Sequence, residues 1–474
     1  MTRDETIWLT FFAYLAAVLA IGLFAMARTR NLEDYLLGGR RLGSLAAALS
    51  AGASDMSGWL LLGLPGLAYT AGPRAAWIAL GLLAGTWLNW RLVAARLRAF
   101  TVAAGALTIP EYLERRFDDG SRLLRVTSAL LILFFFLFYT ASGLLAGGKL
   151  FEAVFHLPAR WAVAAGAAAI LVYTFLGGFL AVSWTDVFQA LLMLLALAVV
   201  PAVALARAPA GHLPWPPAPA DPARLIEVIS LAAWGLGYFG QPHILARFMA
   251  LESPRGAPRA RRIATTWAAL CLAGALAAGW AGRIVFPVAL ADAEQVFIAL
   301  VGRLLHPLPA GICLAAILAA VMSTADSQLL VAASALTEDF YKALARPGAG
   351  ARELVWIGRA AVAAVTAAAT WIALGPGRSV LDLVAHAWAG FGAAFGPALL
   401  GSLFWSRMTR NGALAGIAAG GLTVVVWSRL HGGLFDLYEI VPGFVLSAAA
   451  IAAASLLDPG GRARAEARFR KAAP

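Results

Sequence analysis

An all-α integral membrane protein with thirteen spanning helices is what this sequence predicts, on three observations. The chain is 61% hydrophobic and 13% charged over 474 residues, with a mean hydropathy of +0.79, against about 45–50% and about 25% in an ordinary soluble domain. Apolar blocks of about 20 residues, each enough for one transmembrane helix, recur along its whole length. Most of the 37 Lys and Arg fall in alternate loops, as the positive-inside rule requires of a polytopic protein. That rule accounts for the net charge of +12 without nucleic acid, since no basic helix carries aromatics interleaved for base stacking.

The spans run near 7–27, 45–70, 75–92, 125–150, 160–178, 185–205, 225–246, 263–286, 309–335, 354–374, 380–405, 411–428 and 438–457. The first is too long for a signal-peptide core and has no small-residue cleavage site, so it reads as a retained helix. An odd span number puts the termini on opposite sides, and the arginine-rich loops place the N-terminus outside and the C-terminus in the cytoplasm. Residues 33–43 form a short cytoplasmic loop. The longest outer loop, Arg207 to Arg224, has six prolines and reads as an extended surface connection. Ala293 to Leu305 has helical periodicity but too few residues to cross, so it is either an outer lid or an interfacial helix. A short basic cytoplasmic tail, 461–474, follows the last span. Cys271 and Cys313 lie in apolar blocks and read as small core residues.

Two spans are written against their own helicity. Ser50 to Gly66 reads S-A-G-A-S-D-M-S-G-W-L-L-L-G-L-P-G, with an aspartate that costs roughly 2.5–3.5 kcal/mol to insert. A break is expected between Gly52 and Gly58, and broken backbone at membrane depth persists only where it lines a cavity or is buried in protein. Residues 232–245, A-A-W-G-L-G-Y-F-G-Q-P-H-I-L, interrupt the seventh span in the same way, because Pro242 removes a helix hydrogen bond. Five spans separate the two starts. Interrupted segments at matching positions of two halves point to an inverted repeat around a central site, here about 45–205 and 225–405, with 7–27, 411–428 and 438–457 peripheral to a single transmembrane domain. The competing reading is that small residues merely let helices pack closely. Ala320, Ser323 and Thr324 share one helix face, as do Trp234 and Tyr238; ordinary helix packing is the alternative for both sets.

S-A-G-A-S-D-M-S-G-W-L-L at 50–61, Y-T-F-L-G-G-F-L-A-V-S-W-T-D at 173–186, W-G-L-G-Y-F-G-Q-P-H-I-L-A-R-F at 234–248 and A-A-V-M-S-T at 319–324 resemble the sodium/solute symporter family. The resemblance runs from the first span to the last. It implies a leucine-transporter-like, five-plus-five core whose first and sixth core helices are broken. It also implies sodium-coupled import of a small solute, L-proline, by alternating access across a bacterial inner membrane. Carried over by motif, the sodium ligands are the carbonyls of Ala53, Met56 and Ala320 and the hydroxyls of Ser323 and Thr324, with Asp55 acting directly or by shaping the site. The solute positions are Ser57, Gly58, Tyr139, Trp234, Tyr238 and Pro242. Asp186, Asp326 and Ser327, with Ser323, form a candidate second cation or proton site near the cytoplasm. Asp326 departs from the family pattern, and its alternative place is in cytoplasmic water.

The partners so implied are L-proline, sodium and the bilayer, with no protein partner indicated. Two competitors remain: a sodium- or proton-coupled symporter of another small solute, and a membrane sensor. The sensor is disfavoured because the chain stops soon after its last span, leaving no signalling domain expected. An enzyme is not expected, since neither H-E-x-x-H nor G-x-S-x-G occurs.

Overall fold

The computed structural model describes residues 2–26, 32–176, 179–207 and 223–472. Among them every regular element is helical, as expected where backbone groups must find partners within their own segment. Seven helices are long and apolar enough to cross a bilayer, and up to nine if each of two bent pairs counts as one span.

The chain begins with α1 (Arg3–Met26) and α2 (Ser44–Asp55). After a break it continues through a π-helical turn at Trp59–Gly63 into α3 (Leu64–Ala71) and α4 (Ala76–Leu92). Helices α5 (Ala94–Ala104) and α6 (Ile109–Phe117) follow at the arginine-rich end. Three long helices come next: α7 (Leu123–Phe155), α8 (Ala159–Leu176) and α9 (Phe179–Ala206). The second interrupted span comprises α10 (Ala223–Ala232), a 3-10 stretch Ala233–Gly240, and α11 (Pro242–Met249). Then come α12 (Ala257–Val285), the short α13 (Val296–Leu304) and α14 (Pro307–Ser334). The chain closes with α15 (Ala351–Ala373), α16 (Val380–Phe404), α17 (Arg410–Trp427), α18 (Ile440–Leu456) and α19 (Pro459–Ala472). The basic tail is helical as far as Ala472. Most of the proline-rich loop, 208–222, lies outside the described residues.

Burial sorts centre from rim. The most apolar windows of α14 and α16 are each 83% buried, against 33% for α1 and 28% for α15. The centre is α14, packed against α1, α2, α7 and α9, and its polar side chains Ser323, Thr324, Asp326, Ser327, Gln328 and Ser334 are all buried.

Two findings revise the sequence boundaries. The sixth span was expected to open at Asp186, but α9 is already helical at Phe179, which sets Asp186 about two turns inside it. The polar run Ser183, Thr185, Asp186 and Gln189 resembles a water-facing boundary, yet all four are fully buried. Residues 293–305 also settle onto protein: α13 packs on α3 and α12, and a Cβ on Gly66 would stand 3.0 Å from the Glu294 Cα.

Close approach of backbones fixes where the second interruption sits. A Cβ on Gly81 would strike the Ala232 carbonyl, and one on Gly85 the Gly235 carbonyl. G-L-L-A-G on α4 is thus a groove that receives the 3-10 stretch. Gly85→Ala forces backbone apart instead of displacing a flexible side chain. It should lower stability by about 1–3 kcal/mol, read as a lower thermal midpoint in detergent, whereas Gly302→Ala, which meets no atom within 4 Å, should leave it unchanged.

At the arginine-rich end the two interrupted spans are joined. The Leu42 N–H donates to the Ala250 carbonyl at 3.0 Å, and the Glu252 N–H to the Leu42 carbonyl at 2.9 Å. Arg40, at positive φ, braces this tie by donating to the carbonyls of Ala106 (2.6 Å) and Met249 (3.3 Å).

Candidate functional site

The first interruption falls at Met56 and Ser57. Helix α2 ends at Asp55, and Met56 takes φ −85°, ψ 77°, which releases its carbonyl from the helical ladder. The two arms, Ser44–Asp55 and Trp59–Leu92, are bent by 64°. Aromatic donors hold the freed backbone: the Tyr139 hydroxyl donates to the Asp55 carbonyl at 2.8 Å, and the Trp59 indole N–H to the same oxygen at 3.2 Å.

One turn earlier, the Ala53 carbonyl accepts from the Ser323 hydroxyl at 2.8 Å and the Thr324 hydroxyl at 3.3 Å. Ser323 also donates to the Ala320 carbonyl at 3.1 Å. Four of the five oxygens assigned by resemblance to sodium therefore meet between α2 and α14. All belong to neutral groups, and an all-oxygen set suits a hard cation. The fifth, the Met56 carbonyl, lies just past the end of α2 on the released backbone.

The Asp55 carboxylate makes no hydrogen bond to this set. Its Oδ2 accepts from the Tyr238 hydroxyl at 2.5 Å, while Oδ1 is buried with no hydrogen-bond partner. Asp55 therefore bridges the two interruptions.

The second interruption is an aromatic wall. Gln241 is extended at φ −76°, ψ 108°, and Pro242 starts α11. Trp234 stacks 5.5 Å from Tyr438 and 6.4 Å from Trp388, and its ring lies 6.1 Å from Trp59. Tyr238 meets Trp388 edge-on at 5.0 Å. The Trp388 indole N–H donates to the Trp234 carbonyl at 2.7 Å, satisfying a carbonyl in the non-α stretch. Of the six solute positions, Trp234, Tyr238 and Tyr139 line this buried region with Asp55. Ser57 and Gly58 sit at the first interruption, where Gly58 is pressed against Ala146 and Val321. Pro242 instead borders an apolar cavity toward the arginine-rich end, with Phe179, Leu330 and Met249.

Asp186 and Ser327 do come together, but around an arginine just past the expected end of the seventh span. Arg247, on α11, is fully buried. Its guanidinium donates to Asp186 at 3.1 Å, Ser327 at 2.5 Å, Ser50 at 3.0 Å and the His243 carbonyl at 3.0 Å. Ser50 donates to the same Asp186 oxygen at 2.6 Å. The expected second cation position is thus filled by a side-chain cation that joins α2, α9, α11 and α14. Asp326 is fully buried, so the alternative that placed it in cytoplasmic water does not hold in this structure. The signal for Arg247 was present: it falls four residues after His243 in a run without other charges.

At the opposite end, Lys149 pairs with Asp292 and Glu294, both at 2.6 Å. Glu294 also accepts the N–H groups of Val380 and Leu381, each at 3.0 Å. A carboxylate at a helix N-terminus is favoured by the dipole, and this one fastens the 293–304 segment to α7 and α16 together.

The sequence pattern of the sodium:solute symporter family matches residues 35–212 and 219–420. The chain is 50% identical to the sodium/proline symporter of Escherichia coli strain K12, covering 100% of this chain and 97% of that protein. It is 47% identical to the high-affinity proline transporter PutP of Bacillus subtilis strain 168, covering 93% and 96%. Among solved structures, a substrate-bound, outward-open Na+-coupled sialic acid symporter superposes with a TM-score of 0.79 at 20% identity, covering 95% of this chain and 98% of that one. A nucleobase–cation symporter in a closed conformation gives 0.58 at 16%, covering 93% and 100%. At those identities the likeness establishes the fold. With interrupted helices meeting at a buried oxygen set, and with the family pattern spanning most of its length, this chain is a multi-span membrane protein of the sodium:solute symporter family.

Proposed function

We propose that this protein imports L-proline together with sodium by alternating access. The observation that carries the reading is the Ala53 carbonyl, freed at the first interruption and within reach of Ser323 and Thr324, in a chain 50% identical throughout to a sodium/proline symporter. Sodium is held by the carbonyls of Ala53, Met56 and Ala320 and the hydroxyls of Ser323 and Thr324. The proline carboxylate meets the start of the outer half-helix at Ser57 and Gly58, where the helix dipole is positive. The pyrrolidine ring lies against Trp234 and Tyr238, with Tyr139 beside them and Pro242 below. Sodium orders the released backbone and so raises proline affinity, and linkage requires the reverse.

The frame of this reading is thirteen spans in one transmembrane domain, with inverted repeats at about 45–205 and 225–405. The N-terminus is outside and the C-terminus in the cytoplasm of a bacterial inner membrane. Support comes from the five-span interval between the two interruptions and the side preference of the arginines. The energy suffices at one sodium per proline. A tenfold gradient gives about 1.4 kcal/mol and one charge across about 100 mV gives about 2.3 kcal/mol, together enough for roughly 400-fold accumulation.

Purified protein in liposomes, given labelled proline under separate sodium, lithium and proton gradients, tests this. Sodium should drive accumulation, and Trp234→Ala should raise the half-saturating proline concentration more than it lowers the maximal rate. Uptake indifferent to cation identity would sink the proposal. Sodium-driven counterflow competed by another solute, but not by proline, would replace the substrate.

A further inference from the structure

Arg116, near the end of α6, is a buried cation with no carboxylate on it among the described residues. It is only 4% exposed. Its Nε donates to the Ser402 carbonyl at 3.1 Å, while Nη1 and Nη2 are buried without a hydrogen-bond partner. The guanidinium carbon lies 4.9 Å from the Phe117 ring and 5.0 Å from that of Phe469, so aromatic faces bound it. Phe469 belongs to α19, which turns by 103° from α18 and so crosses the end of the bundle instead of continuing it. Its ring rests 5.4 Å from that of Phe100 on α5. Where α6, α17 and α19 meet lies a cavity of about 300 Å³, lined by Arg116, Arg410, Arg464 and Arg468 and by Asp118, Asp119 and Asp458. Arg116 also lines a second cavity of about 550 Å³, with Phe100, Tyr112 and Arg115.

The charges around the first cavity do not cancel. Asp119 is claimed by Arg410 at 2.6 Å and Asp118 by Arg468 at 2.5 Å. Asp458 accepts from the Asn411 amide at 3.0 Å and from the Gly461 N–H at 2.8 Å. Arg116 and Arg464 form no ion pair among the described residues. A buried charge left without a partner is costly, and an anion set between these two arginines offsets that cost. Two free amino groups on one planar fork match two oxygens of a phosphate. Basic pockets at helix ends beside a bilayer surface are where phosphate-bearing headgroups collect. We propose that this cavity binds a phosphate group on Arg116 and Arg464, and that the bound anion fastens the tail helix α19 to α6. Two sources share that chemistry, the headgroup of an anionic phospholipid and phosphate in the aqueous phase. The bend between α18 and α19 favours the first, because it lays α19 across the end of a span. The inference depends neither on the transported solute nor on the sodium ligands.

Purified full-length protein in phosphatidylcholine nanodiscs tests it, with phosphatidylglycerol or inorganic phosphate added separately. The readouts are lipid retained per chain in native mass spectra and the thermal midpoint. Phosphatidylglycerol should be retained in preference to phosphatidylcholine and should raise the midpoint of the parent. Arg464 is exposed, so Arg464→Gln removes a charge without disturbing the core; it should weaken phosphatidylglycerol binding roughly fivefold, the worth of one arginine near an anionic surface. Arg116→Gln should weaken it roughly tenfold or more, as expected of charge-assisted hydrogen bonds, and Arg116→Lys should return part of the loss. Arg74→Gln, at an exposed arginine that lines neither cavity, should change nothing. If inorganic phosphate raises the midpoint of the parent, and raises it less in Arg464→Gln, with no preference for phosphatidylglycerol, the site takes aqueous phosphate. A parent with neither response overturns the proposal. Full affinity for both probes in Arg464→Gln overturns it too, whatever Arg116→Gln does. Equal losses in Arg74→Gln and Arg464→Gln would also overturn it, since they would mark a general effect of surface charge.

Discussion

Replacing Arg247 by methionine should abolish proline uptake and lower stability by about 3–5 kcal/mol, the range for breaking a buried ion pair from one side. The substitution keeps most of the side-chain volume but leaves the fully buried Asp186 carboxylate with only the Ser50 hydroxyl. It also removes the donor that holds α11 to α2, α9 and α14. The thermal midpoint in detergent and uptake in liposomes measure the two effects. Adding Asp186→Asn to Arg247→Met should return much of the stability, because no charge is then stranded, without returning uptake. A single Arg247→Met variant that melts and transports like the parent would show the pair to be incidental. Surface pairs such as Arg74–Glu227, whose side chains are 48% and 35% exposed, behave otherwise: cutting that pair should cost about 0–1 kcal/mol.

Ser323→Ala should produce the second large effect, and on a different readout. The hydroxyl lies 2.8 Å from the Ala53 carbonyl and 3.1 Å from that of Ala320, so its loss removes one oxygen where α2 and α14 meet. The half-saturating sodium concentration for uptake should rise roughly tenfold or more, in line with losses of metal-site groups, while folded yield changes little. The methyl that remains fits a site lined by Ala53 and Ala320, and the net cost of one lost hydrogen bond is only about 0.5–1.5 kcal/mol. Proline affinity measured at saturating sodium should then approach the parent value. If sodium dependence is unchanged and yield collapses instead, Ser323 is a packing residue and the ion sits elsewhere.

Both interruptions were legible in the sequence because their residues contradict the helices around them. Asp55 and its neighbouring hydroxyls are costly in hydrocarbon, and Pro242 cannot continue a helix, so composition located the first break between Gly52 and Gly58 and the second within 232–245. The alignment of Ala320, Ser323 and Thr324 was legible because helix geometry fixes it locally. Arg247 was legible only as a charge standing alone after His243; its partners were not, because they depend on direction. Basic residues crowd the stretch from Arg255 to Arg262, and only the packing of α11 shows that Arg247 turns inward to meet an aspartate on another helix. Asp186 was misplaced for the same reason, since a buried polar stripe and a water-facing helix end look alike in one dimension.

The pair of main-chain bonds between Leu42 and the 250–252 turn has a mechanical corollary. Because it is made of peptide groups, side-chain evolution on either strand leaves it intact, and only a residue without an amide hydrogen, as in Leu42→Pro, would sever one of its bonds. Helices α2 and α11, one arm of each discontinuous span, are therefore coupled twice, by peptide groups at their far ends and by the Arg247–Ser50 bond along their length, so a displacement of one is passed to the other.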